Sequence, residues 1–206
     1  MNSNTVRQTI EGPAGTLECA VDAPAGAAHG TVVVCHPHPQ FGGTMDNKVV
    51  QTLARAFVTL GWRSVRFNFR GIGASQGAWD EGVGEIDDAL AVIKAFCEAP
   101  FMLAGFSFGA YVASHAATRL PVDAKPDRMV LIGPSTQRQP MPEVPDDTLV
   151  IHGETDDVVP LAATLDWARP QSLPVIVFPG VGHFFHGRLG LLKNVVVQEL
   201  TPRMPL

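Results

Sequence analysis

The stretch Gly105-Phe106-Ser107-Phe108-Gly109 constrains the fold of this 206-residue chain more than any other. It follows the apolar run Phe101-Met102-Leu103-Ala104 and leads into Ala110-Tyr111-Val112-Ala113-Ser114-His115-Ala116. A buried strand, a sharp turn and a helix account for that pattern. G-x-S-x-G in this setting is a nucleophile elbow, in which the turn lifts one serine hydroxyl clear of the carboxyl end of a sheet. Such a turn brings the helix backbone close to the strand. The residues two before and two after the serine must then be tiny, and both are glycine here.

The same pattern occurs at Gly73-Ala74-Ser75-Gln76-Gly77, in a different context. A strand over residues 64–69 ends before Arg70-Gly71-Ile72, and Gly77 leads into Ala78-Trp79-Asp80-Glu81-Gly82, which starts no helix. Ser75 therefore reads as part of a glycine-rich loop beside the site, and Ser107 as the nucleophile.

Around the elbow, strand and helix signals alternate. Residues 7–23 predict a β-hairpin turning at Gly12-Pro13-Ala14-Gly15. Thr31-Val32-Val33-Val34-Cys35 reads as a strand buried on both faces. A helix is expected over residues 46–60, with Val49, Val50, Leu53, Ala54, Phe57 and Leu60 in period and Gly61 at its end. Another is expected over residues 85–97, with Ile86, Leu90, Ile93 and Phe96 or Cys97 inward. Strands follow at 129–132, 148–151 and 175–178, with helices at 161–168 and 184–200. This rhythm predicts an α/β fold: a mainly parallel twisted sheet with helices on both faces and right-handed crossovers, in one domain over residues 1–206. The Pro-rich stretch at 140–145 is a loop, because the rhythm resumes after it.

A serine hydroxyl is a weak nucleophile near neutral pH and needs a base, which in turn needs an orienting partner. His152-Gly153-Glu154-Thr155-Asp156-Asp157-Val158-Val159-Pro160 follows one predicted strand and precedes a helix, so an acid in that turn shares the sheet edge of Ser107. Asp156 is the expected acid, with Glu154 and Asp157 as rivals. Gly180-Val181-Gly182-His183-Phe184-Phe185-His186 follows the last strand, and His183 is the expected base, opening the final helix. His186 lies three residues on and could face the site too.

The order Ser107, Asp156, His183, each after a predicted strand, resembles the α/β-hydrolase superfamily over nearly the whole chain. The chain is most similar to the small, cap-less bacterial serine hydrolases. The stretches that carry the likeness are His36-Pro37-His38-Pro39, Gly42-Gly43-Thr44-Met45-Asp46-Asn47-Lys48, Phe67-Asn68-Phe69-Arg70-Gly71, the elbow, the Asp156 turn and His183-Phe184-Phe185-His186. The resemblance implies hydrolysis of a carboxyl ester or related acyl group through a Ser-His-Asp triad. It also implies an oxyanion hole built from the Phe108 backbone N–H and one N–H of the His36-Pro37 loop. Many relatives carry His-Gly where this chain has His36-Pro37, and neither Pro37 nor Pro39 can donate. His38 is then the expected donor, with Gln40 and Phe41 as alternatives. Only about fifteen Pro-rich residues, 133–147, stand where larger relatives insert a lid, so an open, shallow site without a cap domain is expected.

Three other function classes fit the residues less well. His36, His38, His183 and His186 could form a zinc site, but no H-E-x-x-H is present and the elbow would go unexplained. Gly71-Ile72-Gly73 follows a strand, yet its spacing to Gly77 does not make a dinucleotide loop. A non-catalytic binding protein on the same fold would leave all three triad residues unused. The net charge of -5 and the lack of a basic cluster argue against nucleic acid. The N-terminus has no apolar signal core, and no apolar run approaches the ~18 residues that span a bilayer. Cys19, Cys35 and Cys97 are scattered and read as reduced, mostly buried thiols, which suits a cytoplasmic location. The expected partner is a small-molecule acyl substrate, with no membrane contact and no metal or organic cofactor required.

Overall fold

A computed structural model describes residues 5–201. Eight strands form one sheet: β1 (Val6–Gly12), β2 (Gly15–Asp22), β3 (Thr31–Cys35), β4 (Arg63–Phe67), β5 (Phe101–Phe106), β6 (Arg128–Ile132), β7 (Leu149–Gly153) and β8 (Val175–Phe178). Their order is β1-β2-β4-β3-β5-β6-β7-β8. The β1–β2 hairpin turns at Pro13-Ala14 and adds antiparallel to β4, and the pairs from β4 to β8 are parallel. Five helices cover it: α1 (Lys48–Thr59), α2 (Val83–Phe96), α3 (Phe108–Arg119), α4 (Leu161–Ala168) and α5 (Leu189–Leu200).

The central strands β3 and β5 are buried at every position because helices cover both faces. Alternate residues split between two cores. Val33, Leu103, Met129 and Leu131 pack with Ile86, Ala89, Val92 and Ile93 of α2 and with Val112, Ala113 and Ala116 of α3. Val32, Val34, Ala104, Val130 and Ile132 pack on the other face with Val49, Leu53 and Phe57 of α1 and with Leu192 and Val196 of α5. Of the residues expected inward on α2, Ile86 and Ile93 are buried, while Leu90, Phe96 and Cys97 are only partly so. Helix α1 begins where the Asn47 side chain accepts the Val49 N–H at 2.9 Å, and it stops before Gly61, whose φ of +83° suits a residue without Cβ.

Two loops at the carboxyl edge are braced by charged side chains. Beyond β4, the Arg70 guanidinium forks onto Asp88 of α2, with Nη2–Oδ1 at 2.8 Å and Nε–Oδ2 at 3.1 Å. The Arg70 backbone N–H donates to the same carboxylate at 2.9 Å. The Gly71–Gly77 loop is filled by the chain's own acid: Glu18 accepts the Ala74 N–H at 3.0 Å and the Asn68 amide at 2.8 Å.

One helix boundary differs from expectation. The final helix starts at Leu189, not at residue 184. Phe185 and Gly187 take φ of +53° and +70°, which no helical turn contains, so residues 183–188 form a separate loop. His183 is therefore carried by a loop rather than by a helix start. Between Ile132 and Leu149 the chain forms no helix and no strand.

Candidate active site

The elbow is built by backbone forced close to backbone. Ser107 sits between β5 and α3 with φ +57° and ψ -118°, a conformation that costs a non-glycine residue about 1–3 kcal/mol. Its N–H donates to the Ile132 carbonyl at 2.9 Å and its own carbonyl accepts from the Ala110 N–H at 3.0 Å. A methyl group on Gly105 would run into the Gly109 carbonyl, and one on Gly109 would run into the Cys35 carbonyl. The two glycines thus let α3 rest directly on the ends of β3 and β5.

The structure brings Ser107, His183 and Asp156 together. Ser107 Oγ lies 3.0 Å from His183 Nε2, across 76 residues of sequence. His183 Nδ1 lies 2.7 Å from Asp156 Oδ2. The carboxylate can only accept, so the imidazole proton belongs on Nδ1 and Nε2 is left to accept the serine proton. All three residues are buried. Burial opposes the Asp156 charge, but the hydrogen bonds from His183 and from the Val159 and Val158 N–H groups outweigh it and hold the carboxyl below its ordinary range. Those N–H groups reach Asp156 Oδ1 at 2.8 and 2.9 Å, so one oxygen is held by the turn and the other faces the histidine.

The rival residues have other partners. Glu154 accepts the Gly180 N–H at 2.7 Å, tying its turn to the His183 loop. Asp157 and His186 line a neighbouring cavity of about 600 Å³ that shares His183 and Phe184 with the triad. Ser75 is buried, and its hydroxyl donates to the Asn68 carbonyl at 2.7 Å while accepting the Glu18 N–H at 2.9 Å. It is a bolt between loop and hairpin. One residue was assigned no role from sequence. His152 is fully buried; its Nε2 donates to the Val159 carbonyl at 2.8 Å and lies 3.4 Å from Asp156 Oδ2. It clasps the turn that presents the acid. Its position four residues before Asp156 was the signal that could have found it.

The oxyanion candidates also have definite environments. Neither the Phe108 nor the His38 backbone N–H makes a hydrogen bond within the described residues, whereas the Phe41 N–H donates to the His38 carbonyl at 3.1 Å. Phe41 is thereby removed as a donor. His38 lines a cavity of about 140 Å³ together with Ser107, His183, Phe41, Phe184, Val158 and Asn47, and Gln40 does not. The His38 ring is packed against Phe41, Trp79 and Phe108 at 4.6, 4.6 and 5.0 Å. A larger apolar cavity of about 270 Å³, between α3 and the 143–145 loop, contains no triad residue.

His36 holds the same loop from below. Its Nδ1 donates to the Pro37 carbonyl at 2.6 Å and its Nε2 accepts the Phe69 N–H at 3.1 Å, so both ring nitrogens are used inside the protein. Among the described residues, no group of three or more His, Cys, Asp or Glu side chains is arranged to hold a metal. Burial pushes the His36 pKa down from 6.5 to about 3. The unfolded chain then binds a proton that the folded chain refuses between those values. Stability is therefore complete above the unfolded value and is lost as pH falls through that window, by about 1.4 kcal/mol per pH unit for this group. Burial lowers the pKa of His38 and His152 as well, which adds in the same direction. Urea unfolding at about pH 4.5 should show roughly 2–3 kcal/mol less stability than at about pH 6.5 from His36 alone. A flat profile across that range would contradict this account of His36.

The family described as serine aminopeptidase, S33, matches residues 26–147. A solved α/β serine hydrolase homologue from Coxiella burnetii is 38% identical, with a TM-score of 0.85 over 98% of this chain and 99% of that one. A solved α/β serine hydrolase without lid from Xanthomonas campestris is 37% identical, with a TM-score of 0.87 over 100% of this chain and 99% of that one. This chain belongs to the α/β serine hydrolases. An uncharacterised protein of Rickettsia prowazekii is 37% identical over 117 residues, which span 54% of this chain and 49% of that relative. The match thus covers about half the length of that curated relative. Like the Xanthomonas protein, this α/β serine hydrolase has no lid: its 133–148 connection forms no element that could close over Ser107.

Proposed function

We propose that this serine hydrolase cleaves a small carboxyl ester or related acyl substrate through an acyl-enzyme on Ser107. The observation that carries the reading is the unbroken chain from Ser107 Oγ to His183 at 3.0 Å and on to Asp156 at 2.7 Å, on a strained elbow. Ser107 Oγ attacks the acyl carbon as His183 Nε2 takes the hydroxyl proton. The N–H groups of Phe108 and His38 receive the oxyanion. The C–O bond to the leaving alcohol breaks, and His183 returns the proton to it. Water then attacks the acyl-serine, giving its proton to His183, and Ser107 leaves with that proton as the carboxylic acid departs. Asp156 holds the imidazole tautomer and stays ionised throughout.

The cavity limits the acyl group. Its volume of about 140 Å³ is roughly the room of five waters, and it opens between Phe41 and Phe184, which are 71% and 43% exposed. These are the two aromatic residues among the large apolar side chains exposed in the described chain. An apolar group of about four carbons fits the cavity, and anything longer must lie on the open rim, where less surface is buried per carbon. On a series of p-nitrophenyl esters, kcat/KM is expected to peak near butyrate and fall at least about tenfold by laurate. A steady rise to laurate would refute the shallow-site reading. A fluorophosphonate probe should label the wild type but not Ser107→Ala, and equal labelling of both would refute the nucleophile.

A further inference from the structure

One charged side chain at the mouth is not used by the triad. The Arg138 guanidinium carbon lies over the Phe41 ring, 5.4 Å from its centroid, and Phe41 lines the catalytic cavity. Arg138 belongs to the connection that begins at Gly133, beside His183 and Asp156. It is exposed, and within the described residues no hydrogen bond or ion pair engages it. Apart from Arg188, every other described arginine donates to a carboxylate, hydroxyl or carbonyl of the chain. Arg188 lines the neighbouring cavity with His183 and Phe184. Among the described residues, the two guanidinium groups without a hydrogen bond or ion pair therefore stand over Phe41 at the mouth and in the neighbouring cavity that shares His183 and Phe184.

Stacking on Phe41 holds the Arg138 side chain near the mouth while leaving its N–H donors unclaimed. The charge also reaches the oxyanion loop: burial lowers the His38 pKa first, and Arg138 adds to it. A planar guanidinium fork matches a planar carboxylate through two parallel hydrogen bonds. We propose that the site selects acyl substrates that carry a second, ionised carboxylate, which Arg138 receives at the Phe41 rim. This inference rests on the serine-hydrolase reading above and adds the substrate class to it.

Two matched substrate series test it. On the acyl side, the p-nitrophenyl monoester of adipic acid is compared with p-nitrophenyl hexanoate. On the leaving side, S-butyryl thioglycolate is compared with its methyl ester and with butyrylthiocholine. In at least one series the carboxylate substrate should show a KM about fivefold below that of its neutral partner at low salt. Rising salt should shrink the difference. Arg138→Gln should bring the ratio to about one, and Arg138→Lys should keep part of it, because the charge remains but the fork is lost. Arg169→Gln removes an exposed guanidinium paired with Asp166 and should leave the preference intact. Equal KM values in both series, or a preference that survives Arg138→Gln, would overturn the proposal. Turnover of every substrate by Ser107→Ala would instead defeat the underlying reading, so the two failures are distinct.

Discussion

Ser107→Ala is expected to lower kcat by about 10⁴-fold or more with little change in KM. The substitution removes the only atom that forms the acyl bond, while the Phe108 and His38 N–H groups and the Phe41–Phe184 rim remain to bind substrate. The second G-x-S-x-G supplies an internal control. Ser75→Ala removes a buried hydroxyl that serves the Asn68 carbonyl and the Glu18 N–H, so it should lower stability by about 1–3 kcal/mol. Its kcat should stay near the wild-type value. Ser107→Gly adds a further reading, because glycine accepts φ +57° without strain: it should be as inactive as the alanine variant yet more stable by about 1 kcal/mol. Folded Ser107→Ala protein with kcat within about tenfold of wild type would sink the assignment.

Asp156→Asn should lower kcat by about 10⁴-fold, although it changes a single atom. The turn decides why. Asp156 Oδ1 accepts two backbone N–H groups, so an asparagine at this position keeps its oxygen there and turns its NH₂ toward His183. An amide donor facing Nδ1 forces that nitrogen to accept and moves the imidazole proton to Nε2. Nε2 can then no longer take the Ser107 proton. Asp157→Asn, on a residue with no hydrogen bond to the triad, should change kcat by less than about threefold. The opposite ranking, with the Asp157 variant inactive and the Asp156 variant active, would place the acid one residue further on.

The fold was legible because its signals are local. A β-branched run marks β3, a 3.6-residue apolar period marks α1, and glycines flank the elbow serine; each follows from backbone geometry over a few residues. For the same reason the local pattern predicts a final helix five residues longer at its start than the Leu189–Leu200 helix that forms. Phe184 and Phe185 look like the start of an apolar helical face, but Phe185 is buried in the core formed with Phe178 and Leu192, and φ of +53° there breaks the helix. Local pattern cannot register a bend that long-range packing imposes.

The site was legible to a different depth at each residue. Order and context singled out Ser107, Asp156 and His183. The oxyanion donor is open among His38, Gln40 and Phe41 in the sequence, and the Phe41 N–H is taken up by the His38 carbonyl. His36 beneath the oxyanion loop and Arg138 over Phe41 carried no pattern of their own, since the partners that define their places, Phe69 and Phe41, are distant in sequence.

By itself the chain determined which elements form and that the α/β crossovers would carry three reactive side chains to the carboxyl edge of one sheet. Tertiary structure alone decided which carboxylate oxygen faces His183, and which exposed arginine stacks on Phe41 with no hydrogen bond or ion pair among the described residues. Turn geometry and apolar period are written in neighbouring residues. The choice of a hydrogen-bond partner depends on what folding delivers to within about 3 Å, and that is a property of the packed molecule.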